Sequence, residues 1–264
     1  MVLAYHAKRA AYENQSMIMH RYVPGYSTAE TILSMLRPDR SFTHEDAVML
    51  DVMLMLHAEH GGGNNSTFVC RALTSAGTDP YSAYAGAIGS LKGSRHGGAN
   101  LKVLGLHREL EQQVKDWGDE GQVADYLAKV VNKEAFDHSG LVYGMGHAVY
   151  TLSDPRAEIC KRYASKLAAG TEFEEEFQLL QTIERVAPEV IAQAKGDTKK
   201  ICANIDMYTG FVYKMLGVPE ELITPIFACS RLAGWSAHRY EEIISGKRIM
   251  RPAYKSTSHR RNVD

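Results

Sequence analysis

The chain has 264 residues, a charged fraction of 23%, a formal net charge of −1 and a pI near 6.8. Such balanced charge is typical of a globular protein and gives no global attraction to nucleic acid or to an anionic membrane surface. No uncharged apolar run approaches the length of a membrane span. Four scattered cysteines lack any C-x-x-C pair, a pattern typical of reduced core thiols, so we expect a cytoplasmic protein: Cys70, Cys160, Cys202 and Cys229.

Helix boundary signals are dense along the chain. Ser27-x-x-Glu30 and Thr171-x-x-Glu174 each predict a capping box. Asp79-Pro80 and Asp154-Pro155 each predict an N-cap followed by proline at the first helical position. Residues 47–56 are apolar on nearly every side, which predicts a buried helix. Four glycines mark expected helix ends: Gly93, Gly170, Gly217 and Gly246. No window alternates with period two, so we predict an all-α fold.

The first candidate site is the stretch from His57 to Ser66, which contains three consecutive glycines. His57 and His60 share one helix face, but a metal site needs three or four converging ligands, and we predict none. The glycines lack the Gly-Lys-Ser/Thr end of a phosphate-binding loop. His57 fits a buried core histidine equally well, whereas His60 is better placed at the helix end to contact a ligand.

The second candidate is His96, in a turn between two predicted helices, the second of which starts near Gly98. A histidine at a helix N-terminus feels the positive end of the helix dipole, which disfavours its protonated form. Neutral imidazole can then donate a hydrogen bond to a developing enolate oxygen. Taken alone, the motif is equally compatible with a capping histidine that has no chemical role.

Two further stretches carry groups suited to a keto acid and a carbon acid. His147 follows a glycine-rich loop, and Arg156 comes nine residues later. The imidazole can donate a hydrogen bond to a carbonyl, and the guanidinium can bind a carboxylate with two parallel hydrogen bonds. Asp206, between Ile205 and Met207, is either an N-cap or a carboxylate whose apolar surroundings raise its proton affinity. The second property is what a base attacking a carbon acid requires.

Two arginines, Arg231 and Arg251, complete the set of candidates. Arginines of this kind are usually surface salt-bridge formers, but a substrate with several carboxylates needs bidentate partners. Six motifs then resemble citrate synthase in that family's order: His60 with Gly62-Gly63-Asn64, His96 to Asn100, Gly146-His147 to Arg156, Asn204-Ile205-Asp206, Ser230-Arg231 and Arg251-Pro252. The resemblance runs from about residue 1 to residue 254.

The resemblance implies an all-helical enzyme with a large and a small domain that close over the substrates. Residues 1–97 would be part of the large domain, 98–217 the small domain, and 218–264 the return to the large domain with a C-terminal tail. A substantial N-terminal part of the family's large domain is absent from the sequence, which leaves a fragment, a naturally short form or one part of a split enzyme as alternatives. Exposed apolar surface is therefore expected on the remaining large-domain helices.

The implied reaction joins acetyl-CoA to oxaloacetate and hydrolyses the resulting thioester to citrate and CoA, the first step of the tricarboxylic acid cycle. By resemblance, Asp206 would take a methyl proton from acetyl-CoA, His96 would stabilise the enolate, and His147 would polarise the oxaloacetate ketone. The coenzyme A thioester is a cosubstrate, and no tightly bound cofactor is implied. Base and oxyanion donor must act on the same bound molecule, since the methyl proton is very weakly acidic.

The resemblance also implies the binding residues. Four residues are expected to bind oxaloacetate: His60, Arg156, Arg231 and Arg251. Arg251 would reach into the neighbouring subunit's site, so the active unit would be a homodimer. Three residues are expected to bind coenzyme A: Gly144, Gly146 and Lys199. Thr151 stands where many members have a lysine or arginine, so a phosphate contact is either lost or supplied by another cation: Lys92, Arg95, Lys199 or Lys200.

Three alternatives stay open from the sequence. A 2-methylcitrate synthase would use propionyl-CoA, and one methylene in an apolar pocket discriminates by only about 1–3 kcal/mol. A non-catalytic form would bind a dicarboxylate or coenzyme A without turnover, or serve a structural role. A protein that only binds these ligands needs no catalytic base, so the presence of Asp206 together with His96 and His147 argues against a non-catalytic form.

Overall fold

The computed structural model describes residues 1–147, 150, 152–196, 200–246, 248–253, 255 and 257. These residues form eleven α-helices: α1 (Val2–Tyr12), α2 (Thr28–Leu36), α3 (His44–Ala58), α4 (Asn65–Ser75), α5 (Pro80–Leu91), α6 (Ala99–Gln113), α7 (Glu120–Val131), α8 (Pro155–Ala168), α9 (Glu174–Lys195), α10 (Asp206–Met215) and α11 (Glu220–Ser245). The strand-like pairing within the described ranges is one isolated antiparallel bridge between Met145 and Ala203. The predicted all-α fold is confirmed.

The sequence signals for helix starts hold in three of four cases. Ser27 caps α2 in a full capping box with Glu30, and Asp79 and Asp154 cap α5 and α8 ahead of proline. The box predicted at Thr171 is wrong, because α9 begins at Glu174 without a side-chain cap.

The Thr171 hydroxyl is committed to the end of α8 instead. It donates to the carbonyl of Ala168 at 2.7 Å and accepts from the backbone N–H of Phe173 at 3.2 Å. Glu174 turns back to accept from the backbone N–H of Gly170 at 2.9 Å. These five residues therefore form a tight link between two helices, and Gly170 takes the positive φ of 71° that such a link requires.

α3 is the buried helix that the apolar run predicts. Met49, Leu50 and Met53 are almost completely excluded from solvent. The helix packs against α2, α8 and α11, so apolar side chains are buried on several of its faces. Ser230 of α11 donates a hydrogen bond to the Leu54 carbonyl, which links the middle of α11 to the last turns of α3.

α1 packs on α2, and the helices from α4 onwards pack in two sets. α4, α5 and α11 pack on one another, with Trp235 fully buried among Cys70, Ala83 and Leu91. In the second set, α7 packs on α9, and α10 packs on both α6 and α8. As a result, the N-terminal ends of α4, α6, α8 and α10 carry the candidate site residues or flank them, and the middle of α11 supplies Arg231.

A glycine permits the close approach of α11 to the end of α3. A Cβ atom at Gly234 would collide with the backbone carbonyl of Ala58 and approach Glu59 Oε2 at 2.5 Å. A side chain at this position would therefore push α11 away from the residues that follow α3, and with it Arg231, less than one turn earlier on the helix.

Other surface features differ from expectation or extend it. All four cysteines lie in the described ranges as free thiols, but Cys229 is exposed, so the prediction of a core thiol is wrong there. It lies at an apolar groove of about 730 Å³ between α1, α5 and α11, where neighbouring helices leave it uncovered. Large apolar side chains are exposed on α4 and α5, among them Phe68 and Tyr81. No described helix has the length and apolarity needed to cross a membrane.

Candidate active site

The loop that carries His147 is tied to the segment before α10. Gly144 and Gly146 have φ angles of +87° and +91°, in the left-handed region that favours glycine. The Gly146 N–H donates to the Cys202 carbonyl at 2.7 Å, and the Asn204 N–H donates to the Gly144 carbonyl at 2.9 Å. The Asn204 side chain adds a bond to the Gly146 carbonyl at 2.9 Å. The histidine loop and the start of α10 therefore form one connected unit.

The His147 ring has a defined proton position. Its Nδ1 accepts from the Tyr150 backbone N–H at 3.0 Å, which places the proton of the neutral ring on Nε2. Burial and the charge of Arg156 lower the pKa of His147 and outweigh the opposing effect of Asp154, so the ring is neutral at pH 7. Nε2 lies 3.3 Å from Arg156 Nη2, and both atoms are donors. A substrate oxygen placed beside them would be held by both.

Asp154 fixes the Arg156 side chain. Its carboxylate is 1% exposed, accepts the Arg156 backbone N–H at 3.0 Å as the cap of α8, and receives Arg156 Nε and Nη2 at 3.0 and 2.7 Å. Burial alone would raise the pKa of Asp154, but the hydrogen bonds and charge of Arg156 hold it below its ordinary value. The guanidinium is thus oriented before any ligand arrives.

The two histidines of the first stretch point to different surroundings. His60 meets the His147 ring edge-on with centroids 5.3 Å apart, and burial and the nearby Arg156 lower its pKa to about 4. His57 is buried against Phe227 with centroids 4.6 Å apart, and burial lowers its pKa to about 3. His60 therefore joins the site and His57 belongs to the core beneath it. Across the described ranges no three His, Cys, Asp or Glu side chains form a group that could hold a metal ion.

Arg231 is a buried cation with an unused donor. Its side chain is 2% exposed, its Nε donates to the His57 carbonyl at 2.6 Å, and its guanidinium lies 4.8 Å from the Phe227 ring centroid. Its Nη1 is buried and has no hydrogen-bond partner among the described residues. Burial lowers the pKa of Arg231 to about 10. A buried, unpaired guanidinium N–H is unfavourable by itself, so the group is suited to an anionic ligand.

His96 lies in the turn between α5 and α6, and its Nε2 is 2.9 Å from the Ser66 hydroxyl. Burial, helped by the charge of Arg231, lowers the pKa of His96, so the ring is neutral. Ser66 is fully buried and also accepts from the indole N–H of Trp235 at 3.2 Å. The Ser66 hydroxyl has one proton and two acceptors within reach, His96 Nε2 at 2.9 Å and Asn64 Oδ1 at 3.1 Å. In the state in which it donates to Nε2, the His96 proton sits on Nδ1, where it can be donated to a ligand. Ser66 was not among the residues that the sequence motifs indicated, although it lies two residues after Asn64 in the first stretch.

Asp206 is not the N-cap that the sequence left open. It is the first residue of α10, the cap position belongs to Ile205, and the Asp206 backbone N–H donates to Asn204 Oδ1 at 3.0 Å. Its carboxylate accepts from Asn100 Nδ2 at 3.3 Å. Burial raises the pKa of Asp206, and the Asn100 hydrogen bond and the charge of Arg156 offset only part of that rise. The carboxylate is thus unusually basic, as proton abstraction from carbon demands.

Two small cavities flank the histidine loop. One, of about 210 Å³, is lined by His147, Tyr150, Lys195 and Lys200. The other, of about 220 Å³, is lined by Gly144, Gly146, Lys195 and Asp206, among others. Lys195 lines both cavities and was not among the residues singled out from the sequence. Lys199, predicted to bind coenzyme A, lies outside the described residues.

Most of the predicted site residues are brought together. The charges of Arg156, His147 and Arg231 all act on the titration of His60, and that of Arg231 also acts on His96. The charge of Arg156 reaches Asp206, which Asn100 of α6 also contacts.

Arg251 is the exception. It is exposed, and no hydrogen bond or ion pair connects it to the site residues in the described part of the chain. The neighbouring Met250 N–H donates to Ser75 at the end of α4, roughly 14 Å of helix away from Ser66.

The all-α fold gathers neutral imidazoles, two guanidinium groups and one basic carboxylate, and such a set of groups is suited to binding anionic ligands. Comparison with known proteins makes this assignment more specific. The family described as "Citrate synthase, C-terminal domain" matches residues 1–253, and the chain belongs to this family.

Three similar proteins illustrate the relationship. The chain is 40% identical over 207 residues to citrate synthase of Synechocystis sp., covering 78% of this chain and 47% of that protein. It is 39% identical over 205 residues to 2-methylcitrate synthase of Shewanella oneidensis, covering 78% and 49%. The structure of citrate synthase from Thermoplasma acidophilum, a ternary complex with carboxymethyl coenzyme A and oxaloacetate, aligns with a TM-score of 0.77 at 27% identity and covers 100% of this chain and 65% of that one. The chain spans about half the length of the curated relatives it matches.

Proposed function

We propose that the chain carries a citrate synthase active site, which condenses acetyl-CoA with oxaloacetate and hydrolyses the product to citrate and CoA. The observation that carries the proposal is the grouping of Arg156, Arg231 and His147. The basic carboxylate of Asp206, the first residue of α10, lies within reach of the Arg156 charge. Two carboxylate-binding forks beside a ketone-polarising ring match a 2-oxo dicarboxylate. The named ligands of the Thermoplasma complex belong to the same two substrate classes.

In the proposed complex, Arg156 and Arg231 bind the two carboxylates of oxaloacetate and His60 contacts the same molecule. The buried Nη1 of Arg231 then gains the partner that the described residues do not supply. The Nε2 proton of His147 points to the ketone oxygen and polarises the carbonyl carbon.

The carbon–carbon bond forms after enolisation of acetyl-CoA. Asp206 takes a proton from the methyl group, and the electron pair moves to the thioester oxygen, where His96 Nδ1–H donates a hydrogen bond. The enolate carbon attacks the ketone carbon of oxaloacetate, and the new alkoxide takes the Nε2 proton of His147. Water then cleaves the thioester, releasing citrate and the CoA thiol.

Coenzyme A is proposed to lie along the histidine loop. The backbone of Gly144 and Gly146 lines one of the two cavities there, and Lys195 and Lys200 add positive charge for phosphate groups. Lys199 remains a predicted contact. No tightly bound cofactor enters this scheme, and neither nucleic acid nor a membrane is a proposed partner.

The test is a thiol-release assay with acetyl-CoA and oxaloacetate on the wild-type chain and on Asp206→Asn. We expect the substitution to lower kcat by about 10²–10⁴-fold, because it removes the base and keeps the shape of the side chain. Calorimetric binding of oxaloacetate should be retained in the variant, since the arginines are untouched. Equal thiol release by both proteins would refute the mechanism. No thiol release by wild type that still binds oxaloacetate would support the non-catalytic alternative.

The same assay with propionyl-CoA addresses the 2-methylcitrate alternative, which the 39% identity to the Shewanella protein keeps open beside the 40% identity to the Synechocystis citrate synthase. A higher kcat/KM with propionyl-CoA than with acetyl-CoA would assign the chain to that activity. The site residues described above serve both reactions, because they act on the methylene or methyl carbon next to the thioester and on oxaloacetate.

The active unit is proposed to be a homodimer in which Arg251 completes the partner's site. The exposure of Arg251 and its distance along α4 from Ser66 support this arrangement. Mixing inactive Arg251→Gln with inactive Asp206→Asn chains tests it, because a mixed dimer then contains one intact site. We expect recovery of about a quarter of wild-type activity after random subunit exchange. No recovery, despite a dimer by light scattering, would refute the role of Arg251.

The predicted domain division is retained as a proposal: 1–97 and 218–264 in the large domain and 98–217 in the small one. It is supported by the mutual packing of α6 with α10, α8 with α10 and α7 with α9, and by the return of α11 to α3, α4 and α5. Free thiols at all four cysteines support the proposed cytoplasmic location.

A further inference from the structure

Asn100, near the start of α6, is a buried amide that contacts the proposed base. Its side chain is 3% exposed. Its Nδ2 donates to Asp206 Oδ1 at 3.3 Å and to the Thr209 hydroxyl at 2.6 Å. Both hydrogens of the amide are therefore used on α10, one on the carboxylate and one a turn further along the helix.

The orientation of this amide follows from its partners. The Thr209 hydroxyl donates its own proton to the Ile205 carbonyl at 3.0 Å, so it can only accept from Asn100. An ionised Asp206 carboxylate also only accepts. The NH₂ group must therefore face both, which leaves Asn100 Oδ1 buried and without a hydrogen-bond partner in the described structure.

The local packing supports this unusual arrangement. A Cβ atom at Gly210 would lie 3.0 Å from Asn100 Oδ1 and 2.6 Å from Leu104 Cγ. Glycine at this position allows α10 to approach α6 closely enough for the hydrogen bonds of Asn100. A buried amide with an unused oxygen costs free energy, and a purely structural contact would not need its donors aimed at a carboxylate.

Several other groups act on Asp206 from the surrounding helices. Arg156, in the first turn of α8, lowers its pKa, and Asp154, just before that helix, raises it. Cys160 of α8 and Tyr213 of α10 are close enough for their own titrations to be affected by the Asp206 charge. Asn100 is the neutral group in this set that bonds directly to the carboxylate. Burial raises the pKa of Asp206. Without Asn100, the effect that opposes burial comes mainly from the more distant charge of Arg156.

Resting on the function proposed above, we propose that Asn100 is a positioning residue for the Asp206 base. It holds Oδ1 and keeps the carboxylate ionised near neutral pH, and it directs Oδ2 towards the methyl group of the acyl-CoA substrate. The residue itself touches neither substrate. Its contribution therefore resides in kcat and in the pH dependence, and the affinity for oxaloacetate is independent of it.

The test compares Asn100→Ala and the isosteric Asn100→Asp with a matched control, Thr209→Val. The control removes the second acceptor of the same amide and leaves the bond to Asp206. We expect the acidic limb of the kcat/KM profile to move upward by about one pH unit in Asn100→Ala and further in Asn100→Asp. In Thr209→Val the limb stays where it is in wild type, whatever happens to stability. The KM for oxaloacetate should be unchanged in both Asn100 variants.

A second measurement does not depend on turnover. Titration of the Asp206 carboxyl by ¹³C NMR with labelled aspartate, assigned with Asp206→Asn, reports its pKa directly. The pKa should rise in both Asn100 variants and stay constant in Thr209→Val. A shifted titration in a chain that releases no thiol would uphold the role of Asn100 and refute the proposed reaction. An unshifted titration in folded Asn100→Asp would overturn the inference whether or not the enzyme is active.

Discussion

The buried ion pair at the start of α8 gives a sharp test of how the site is held. In Asp154→Asn the side chain keeps an oxygen for the Arg156 backbone N–H, so the N-cap survives. The variant loses the negative charge that receives Arg156 Nε and Nη2 at 3.0 and 2.7 Å. It also turns a neutral NH₂ group towards a guanidinium that only donates.

The size of the effect follows from the burial of the pair. The Asp154 side chain is fully buried and that of Arg156 is 17% exposed. Neutralising one member of a buried pair costs ~3–5 kcal/mol, and partial access of water to Arg156 places our expectation at the lower end. Since 1 kcal/mol corresponds to ~2–4 °C in a chain of this size, the midpoint of thermal unfolding should fall by ~6–12 °C. Asp154→Ala should lose ~1 kcal/mol more, because it also removes the cap.

A matched control exists at the start of α5. Asp79 also precedes proline and caps its helix, by accepting from the Ser82 N–H at 3.0 Å, but it is exposed and forms no ion pair with the described residues. Asp79→Asn should therefore leave urea unfolding unchanged. If Asp154→Asn and Asp79→Asn unfold at the same urea concentration, the buried pair does not stabilise the fold as reasoned.

The same pair predicts a pH effect. Because Arg156 holds the pKa of Asp154 below its ordinary value despite burial, its stabilisation is complete above the ordinary aspartate range. It is lost as the pH falls through the lowered pKa of the folded state. Wild type should therefore lose its stability advantage over Asp154→Asn on acidification, and a constant difference down to the lowest pH at which both fold would contradict this account.

Three other substitutions have defined outcomes. Burial lowers the pKa of His107 from 6.5 to about 3. The free energy of unfolding should therefore fall by about 2 kcal/mol between about pH 7.5 and 5, because the unfolded chain gains a proton there and the folded chain does not. His107→Gln should remove that part of the pH dependence in urea titrations, and an unchanged pH dependence would refute the assignment. Gly210→Ala places a Cβ 2.6 Å from Leu104 Cγ and should lower the free energy of unfolding by ~1–3 kcal/mol. An unchanged midpoint of urea unfolding would show that α6 and α10 can move apart without loss of stability. Ser66→Ala removes the hydroxyl that is 2.9 Å from His96 Nε2. The variant should have a kcat for thiol release about tenfold lower than wild type, with oxaloacetate binding unchanged by calorimetry. A loss of binding with kcat intact would contradict the assignment.

Local sequence signals were sufficient for the starts of three helices, α2, α5 and α8. A capping box or an Asp-Pro pair is read by backbone groups within three residues, so Ser27, Asp79 and Asp154 could be interpreted without knowing what packs around them. Thr171 failed for the opposite reason. Its hydroxyl had a competing acceptor, the Ala168 carbonyl, which became available only once α8 had ended there.

The sequence alone determined an all-α chain, its family and the identity of the groups able to do acid–base chemistry, because those follow from local patterns and from motifs in a fixed order. The tertiary structure decided what each group meets. Asp206 accepts a hydrogen bond from Asn100 and is not a helix cap. His57 lies in the core and His60 at the site. Arg231 has a buried N–H without a hydrogen-bond partner among the described residues. These contacts join residues up to 174 positions apart, as between Arg231 and His57, and only packing of the helices brings such residues within hydrogen-bond distance.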